Sequence, residues 1–128
     1  MNLFVPGSFV SHSGLMLPFK IDCDALTDED LDTLAHHVGT QLWLRFSEVH
    51  GVPSGGLRFA DALQKYALPV SNGQLRRVLL VDDVLTTSRS MEEFLTLWNA
   101  APLVFGVVIF ARAPCPAWVR PIFNMVMP

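Results

Sequence analysis

The chain has 128 residues, of which 51% are apolar and 16% charged, and its formal net charge is −3. The length suits a single domain, and so much apolar content with so little charge predicts a sheet covered on both faces and a subunit interface. The acidic balance and the absence of a basic run beyond Arg76-Arg77 exclude an electrostatic footprint for nucleic acid.

The sequence also predicts neither a membrane span nor an exported protein. The longest apolar stretch, residues 103–111, is far shorter than the ~20 residues that a membrane-spanning helix needs. No basic segment precedes an apolar core at the N-terminus, so we expect no signal peptide. Cys23 and Cys115 are too far apart to suggest a disulfide framework or a metal site, and they predict reduced thiols in the cytoplasm.

In chain order, the first predicted element is a helix over residues 26–46, where apolar residues recur at helical spacing. Thr27 suits the N-cap of this helix, and three acidic residues favour its positive end. A short strand is predicted over 46–52, and it ends in the glycine-rich stretch GVPSGG, residues 51–56. A second helix is predicted over residues 57–67.

The second half of the chain begins with a turn over residues 68–74. The run RVLLVD, residues 77–82, contains four consecutive apolar residues, 78–81, which is typical of a strand in a parallel sheet. A helix over 90–100 and a second buried strand over 103–111 follow. Prolines then separate that strand from a last short strand near residues 121–126.

This alternation of strands and helices predicts one α/β domain over residues 1–128, with a parallel, doubly wound sheet flanked by helices. Its crossovers are expected to be right-handed. Ligands of such sheets bind outside the carboxyl ends of the strands. The stretch GVPSGG and the stretch DDVLTTSRS, residues 82–90, both follow predicted strands, so we expect a site where they meet.

The stretch DDVLTTSRS combines two carboxylates with four hydroxyls. Carboxylates accept hydrogen bonds from sugar hydroxyls, whereas hydroxyls and the free N–H groups at a helix start bind phosphate. A ligand with a ribose beside a phosphate therefore fits both halves. From the residues alone an alternative stays open, in which Asp83 caps a turn and Thr87 or Ser88 caps the following helix.

Residues 78–90, VLLVDDVLTTSRS, resemble the phosphoribosyl-pyrophosphate-binding signature of type I phosphoribosyltransferases. Residues 51–56 look like the pyrophosphate loop of that family. Residues 11–26, SHSGLMLPFKIDCDAL, resemble the N-terminal segment of orotate phosphoribosyltransferases, and residues 106–114, GVVIFARAP, resemble the strand that follows the phosphate-loop helix. The resemblance spans nearly the whole chain, and it implies a trimmed fold of this family.

The resemblance implies that Asp82 and Asp83 contact the ribose hydroxyls and reach Mg²⁺ only indirectly, through the ligand. It implies that the hydroxyl-rich loop wraps the 5′-phosphate, through Thr86, Thr87, Ser88, Arg89 and Ser90. The diphosphate, bridged by Mg²⁺, would be held by Pro53, Ser54, Gly55 and Gly56.

The same resemblance implies a place for the base near Lys20, Ile21 and Arg112. Lys20 then joins Asp82 and Asp83 as a catalytic residue. The implied reaction replaces pyrophosphate with a nucleobase at the anomeric carbon. Positioning and neutralisation of the leaving diphosphate would supply the catalysis.

Two departures from the family pattern stand out. Ser88 occupies a position that the family usually gives to glycine. Only 25 residues, 57–81, separate Gly56 from Asp82, so the mobile basic loop that orotate-type enzymes place there is absent. The basic residues left as candidates to assist the leaving group are Lys20, Arg58, Arg89 and His12.

Two functions therefore stay open from the sequence. The first is a Mg²⁺-dependent phosphoribosyltransferase that joins phosphoribosyl pyrophosphate to a nucleobase. The second is a non-catalytic sensor or interaction module that binds phosphoribosyl pyrophosphate or a nucleotide. In both cases we expect a cytoplasmic homodimer.

Overall fold

The computed structural model describes residues 1–10, 14, 16–41, 44–101 and 103–126. In these residues a hairpin precedes a layered α/β body. The elements are β1 (Phe4–Val10), β2 (Met16–Ile21), α1 (Asp28–Gly39), β3 (Glu48–Gly51), α2 (Leu57–Leu63), β4 (Arg77–Leu85), α3 (Arg89–Leu95), β5 (Leu103–Ala111) and β6 (Val119–Asn124). Single 3₁₀ turns lie at Cys23–Ala25, Gln64–Tyr66 and Thr96–Trp98.

The main sheet has four parallel strands in the order β3-β4-β5-β6. The two central strands, β4 and β5, are almost entirely buried between the flanking layers, which explains their continuous apolar sequence. This confirms the predicted compact α/β domain with a parallel sheet flanked by helices. No helix in the described part of the chain is long and apolar enough to span a membrane.

Helices cover both faces of this sheet. On one face α1 and α2 pack their apolar sides over Val49, Leu79 and Val107. On the other face α3 packs Met91 near Leu80, among the residues of a second apolar cluster. The domain thus has three layers, and the alternating side chains of each strand supply both cores.

The expectation of uniformly right-handed crossovers is wrong for one of the two helical connections. Helix α2 joins β3 to β4 on one face, whereas α3 joins β4 to β5 on the other. Because both connections step in the same direction across the sheet, they have opposite hands. The reason is local, since α2 packs against α1 and the short link after it returns to β4 from that same face.

The first strands were not expected from the sequence. Residues 4–10 and 16–21 form an antiparallel two-stranded hairpin whose register shifts between Pro6 and Phe9. Gly7 lies in this shift with a φ of 138°, a conformation that side chains other than glycine rarely adopt. Two prolines and this irregular register obscure the strand pattern in the sequence.

Most predicted elements are present with shorter bounds. The first helix begins at the predicted N-cap, where Thr27 and Asp30 form a capping box, but it ends at Gly39 and not at residue 46. Leu42 and Trp43 of that prediction lie outside the described residues. The other two predicted helices each end in a 3₁₀ turn, at Gln64–Tyr66 and Thr96–Trp98, and the last strand begins two residues early, at Val119.

Gly39, the last residue of α1, lies where α2 approaches most closely. A Cβ atom at this position would overlap the ring of Tyr66, which follows α2. The same ring reaches back to α1, where the Tyr66 hydroxyl lies 3.4 Å from Nδ1 of His36. A second link between these helices is the hydrogen bond of 3.1 Å from Arg58 to Asp28. These contacts hold the end of α1 close to α2 and leave room only for glycine at position 39.

We predict that Gly39→Ala lowers the free energy of unfolding by about 1–3 kcal/mol, because the new methyl group displaces the Tyr66 ring. Chemical denaturation measures this. In a Tyr66→Ala background the same substitution should cost little, since the obstructing ring is gone. An equal loss in both backgrounds would contradict this explanation.

Candidate functional site

An open cavity of about 770 Å³ lies at the carboxyl ends of β3 and β4, bordered by the hairpin. Apart from Gly56 and Ser88, every site residue predicted from the sequence lines it. Those lining residues are Lys20, Ile21, Pro53, Ser54, Gly55, Asp82, Asp83, Thr86, Thr87, Arg89, Ser90 and Arg112. The structure therefore brings together the segments that the sequence singled out, while the role of each residue stays a prediction.

The acidic pair lies within β4, which continues to Leu85 and does not end at Asp82 as predicted. The flanking residues Val81 and Val84 both pack against the apolar cluster that includes α1 and α2, and β4 keeps its register with β5 across the acidic pair. Asp82 is buried and Asp83 is half-buried. Both aspartates border the cavity, so the end of β4 presents two consecutive carboxyl groups there.

Each carboxyl group accepts a hydrogen bond from the next residue of the chain. The Asp83 N–H donates to Asp82 Oδ1 at 2.8 Å, and the Val84 N–H donates to Asp83 Oδ1 at 2.7 Å. No ion pair between either aspartate and a cation is present in the described part of the chain. The pair is thus held in place by backbone donors and is not neutralised.

Burial raises the pKa of Asp82 to about 8, and the neighbouring charge of Asp83 adds to the effect. The charges of Asp83 and Asp82 also act on the nearby Cys23. Its thiol pKa is raised to about 12, first by burial and then by Asp83, so it stays protonated. Burial also raises the pKa of the Cys115 thiol, as expected of an inert cysteine.

The glycine-rich loop lies against the acidic pair, with Gly55 next to the Asp83 carboxylate. After β3 ends at Gly51, residues 53–56 turn sharply, and the Gly56 N–H donates to the Val52 carbonyl at 2.8 Å. A Cβ atom at Gly55 would lie 2.5 Å from the Asp83 carboxylate. Small residues are therefore required here by close contact, and none of these loop glycines has a positive φ.

The hydroxyl loop, residues 86–90, connects β4 to α3. Ser88 occupies the N-cap position of α3 with a φ of −73°, so serine replaces glycine there without a strained backbone. Its side chain forms no capping hydrogen bond, and Thr87 accepts only a long one, 3.4 Å, from the Arg89 N–H. The alternative in which these hydroxyls serve mainly as helix caps is thus poorly supported, and Thr86 and Thr87 border the cavity.

The basic residues around the cavity differ in how they are engaged. Arg112 donates to the Phe19 carbonyl at 2.7 Å, and its guanidinium lies 4.0 Å from the centre of the Phe19 ring. Arg89 pairs with Glu93. Lys20 borders the cavity and has no ion-pair partner in the described ranges.

Arg58, a further candidate cation, is engaged away from the cavity. Arg58 is turned towards α1, where it donates to the Leu26 carbonyl and to Asp28. It does not border the cavity. His12 lies outside the described residues. Of the candidate cations within the described ranges, Lys20 and Arg89 border the cavity.

Sequence reasoning missed the apolar wall that the hairpin supplies. Phe9 and Val10 on β1 and Leu17 on β2 border the same cavity as Lys20. The signal was the alternation of Leu17, Phe19 and Ile21, which indicates a strand with one apolar face. The hairpin thus contributes an apolar part of the cavity wall.

We predict that the stability of the protein falls as the pH rises from about 4 towards about 8, because folding raises the pKa of Asp82 from its ordinary 3.8. Below pH 4 the Asp82 carboxyl is neutral in both the folded and the unfolded protein, so its burial costs no ionisation energy. Above pH 8 it is charged in both states, and the folded protein then buries that charge. Asp82→Asn should remove this part of the decline, a difference on the order of a few kcal/mol, measured by denaturation at a series of pH values.

The exposed Asp61 on α2 provides the control, since Asp61→Asn changes the same charge outside the cavity. The stability of Asp61→Asn should fall with rising pH as it does in the unmodified protein. A decline that persists unchanged in Asp82→Asn would show that Asp82 is ionised in the folded state.

No protein-family model and no curated protein sequence matches the chain. Solved structures do match its fold. The orotate phosphoribosyltransferase from Aeropyrum pernix superposes with a TM-score of 0.73 at 24% identity, covering 96% of this chain and 88% of that one. The orotate phosphoribosyltransferase of Mycobacterium tuberculosis H37Rv, in complex with inorganic phosphate, gives 0.62 at 17% identity, covering 94% and 88%.

A third match belongs to a different substrate class. Adenine phosphoribosyltransferase from Leishmania donovani gives a TM-score of 0.59 at 19% identity, covering 74% of this chain and 59% of that one. Together these similarities show that the chain has a type I phosphoribosyltransferase-like fold, as its sequence motifs predicted. The fold is a shortened form, because only ten residues, 67–76, lie between the 3₁₀ turn after α2 and the start of β4.

Proposed function

We propose that the protein binds phosphoribosyl pyrophosphate in this cavity and transfers its phosphoribosyl group to a nucleobase. The observation that carries the proposal is the convergence of the acidic pair, the hydroxyl loop and the glycine-rich loop on one cavity. In the reaction, the bond between the anomeric carbon and the diphosphate breaks. A ring nitrogen of the base forms the new bond to that carbon and releases its proton.

The ribose and its phosphate occupy the β4 side of the cavity in this proposal. The Asp83 carboxylate accepts hydrogen bonds from the ribose hydroxyls, and the buried Asp82 lies beside it. The 5′-phosphate accepts hydrogen bonds from the hydroxyl loop, through Thr86, Thr87, Ser88, Arg89 and Ser90. The close approach of Gly55 to the Asp83 carboxylate supports a diphosphate position next to the ribose.

Mg²⁺ is the cofactor in this proposal, and the donor set fits it. No group of three metal-ligating side chains occurs among the described residues, so the protein alone does not form a metal cage. Mg²⁺ commonly binds through one or two carboxylates together with substrate phosphates. Asp82 and Asp83 would act on it through the ligand, and Mg²⁺ would neutralise the diphosphate oxygens near Pro53, Ser54, Gly55 and Gly56.

The base lies at the opposite end of the cavity in this proposal, near Lys20, Ile21 and Arg112. Phe9 and Leu17 supply an apolar wall there, which suits a flat ring. Lys20, the one lining cation without a partner in the described ranges, faces the developing negative charge on the leaving group. This charge compensation replaces part of what the absent basic loop supplies in orotate-type enzymes.

We further propose that the protein is a cytoplasmic homodimer. Apolar side chains lie exposed on the hairpin and on β6, namely Phe4, Val10, Met16 and Phe123. Burial of such residues against a second copy would account for the high apolar content of a chain this short. Light scattering of the purified protein gives the mass directly.

The proposal predicts calorimetric binding of phosphoribosyl pyrophosphate that strengthens with Mg²⁺, and release of pyrophosphate when a suitable base is added. A panel of pyrimidines, purines and pyridine carboxylates covers the acceptor classes. Asp82→Asn combined with Asp83→Asn should abolish turnover and weaken binding by at least about tenfold, because the ribose loses its carboxylate acceptors. Asp61→Asn, outside the cavity, should leave both unchanged.

Two outcomes would contradict this proposal in different ways. Binding without pyrophosphate release across the whole panel would contradict the transfer reaction and favour a ligand-sensing module. No binding with Mg²⁺ present would contradict the phosphoribosyl site itself.

A further inference from the structure

The ion pair between Arg89 and Glu93 lies at the wall of the cavity. Both side chains border the cavity, and Arg89 Nε lies 3.0 Å from Glu93 Oε1. Arg89 belongs to the hydroxyl loop and begins α3, whereas Glu93 lies one turn further along the helix. A carboxylate on the wall of a phosphate site is unexpected, since it repels the ligand that its neighbours attract.

We propose that Glu93 limits the affinity of the site by competing with the ligand's phosphate for Arg89. The inference rests on the proposed phosphoribosyl site and concerns how tightly that site holds an anion. Without a ligand, Glu93 neutralises Arg89 and turns its guanidinium along the helix. When phosphate binds, Arg89 shares its charge with the phosphate, and Glu93 keeps the affinity below what the arginine alone would provide.

The geometry makes this exchange easy. The side chains of Arg89 and Glu93 are 69% and 68% exposed, so water screens their attraction and the pair is weak. Its orientation is also the less favourable one for a helix, because the acid follows the base by four residues. Little free energy is therefore lost when Arg89 turns to another anion.

The guanidinium also keeps donors for a ligand. Only Nε is engaged with Glu93, and the two terminal nitrogens have no hydrogen-bond partner in the described part of the chain. Arginine suits phosphate because its planar fork can donate two parallel hydrogen bonds. Lys20 borders the cavity as well, whereas Arg112 is held by the Phe19 carbonyl, so Arg89 is the adjustable cation of the hydroxyl loop.

The test is calorimetric titration of the full chain with ribose 5-phosphate and with inorganic phosphate. Glu93→Gln keeps the shape of the side chain but removes its charge. It should raise the affinity for both ligands by about twofold to fivefold, the range expected for a weak exposed ion pair. In an Arg89→Ala background the same substitution should bring no gain, because no arginine remains to be released.

The neighbouring Glu92 supplies a matched control. It is exposed on the same helix and does not border the cavity, so Glu92→Gln makes the same change in net charge without touching Arg89. We expect Glu92→Gln to change the affinity for either ligand only slightly. An equal gain from Glu92→Gln, or from Glu93→Gln without Arg89, would show a general field effect and would overturn the inference.

The remaining outcomes separate this inference from the proposed function. If the unmodified protein binds ribose 5-phosphate and Glu93→Gln binds it equally or more weakly, the inference is wrong and the site stands. If neither protein binds ribose 5-phosphate or phosphate, both the inference and the proposed site are overturned.

Discussion

The candidate site depends on the contact between the end of β3 and its neighbour β4, which continues in the sheet to Leu85. The Val52 N–H donates to the Val81 carbonyl at 2.8 Å, and a side chain at Gly56 would overlap that same carbonyl. Gly55 in turn lies against the Asp83 carboxylate. Because this contact joins the glycine-rich loop to the acidic pair, a ligand that reaches one of them lies beside the other.

The acidic pair also shows how burial and charge combine at this point. Asp82 has apolar strands around it and a second carboxyl group beside it, so its ionisation is costly. Nothing in the described ranges offsets that cost with a cation. A ligand that brings hydroxyl donors, together with a metal bound to its phosphates, would complete the hydrogen bonding that the protein leaves open.

Much of the sheet and of the candidate site could be predicted from the sequence, because the buried strands and the site motifs carry strong local signals. The apolar run of β5 and the spacing of the acidic and hydroxyl residues gave the sheet and the cavity wall. The hairpin was missed because two prolines and a shifted register hide its alternation. The opposite hand of the two crossovers, and the pairing of Arg89 with Glu93, arise from tertiary packing and side-chain geometry that no local pattern records.

The central claim is that one cavity, formed by residues 53–56 and 82–90, holds a ribose with its phosphate. Backbone amide NMR spectra, recorded during titration with ribose 5-phosphate, test it most directly. The account predicts saturable shifts concentrated in these two loops, with smaller changes at Lys20 and Arg112. Shifts confined to another surface, or no shifts at millimolar ligand, would contradict it.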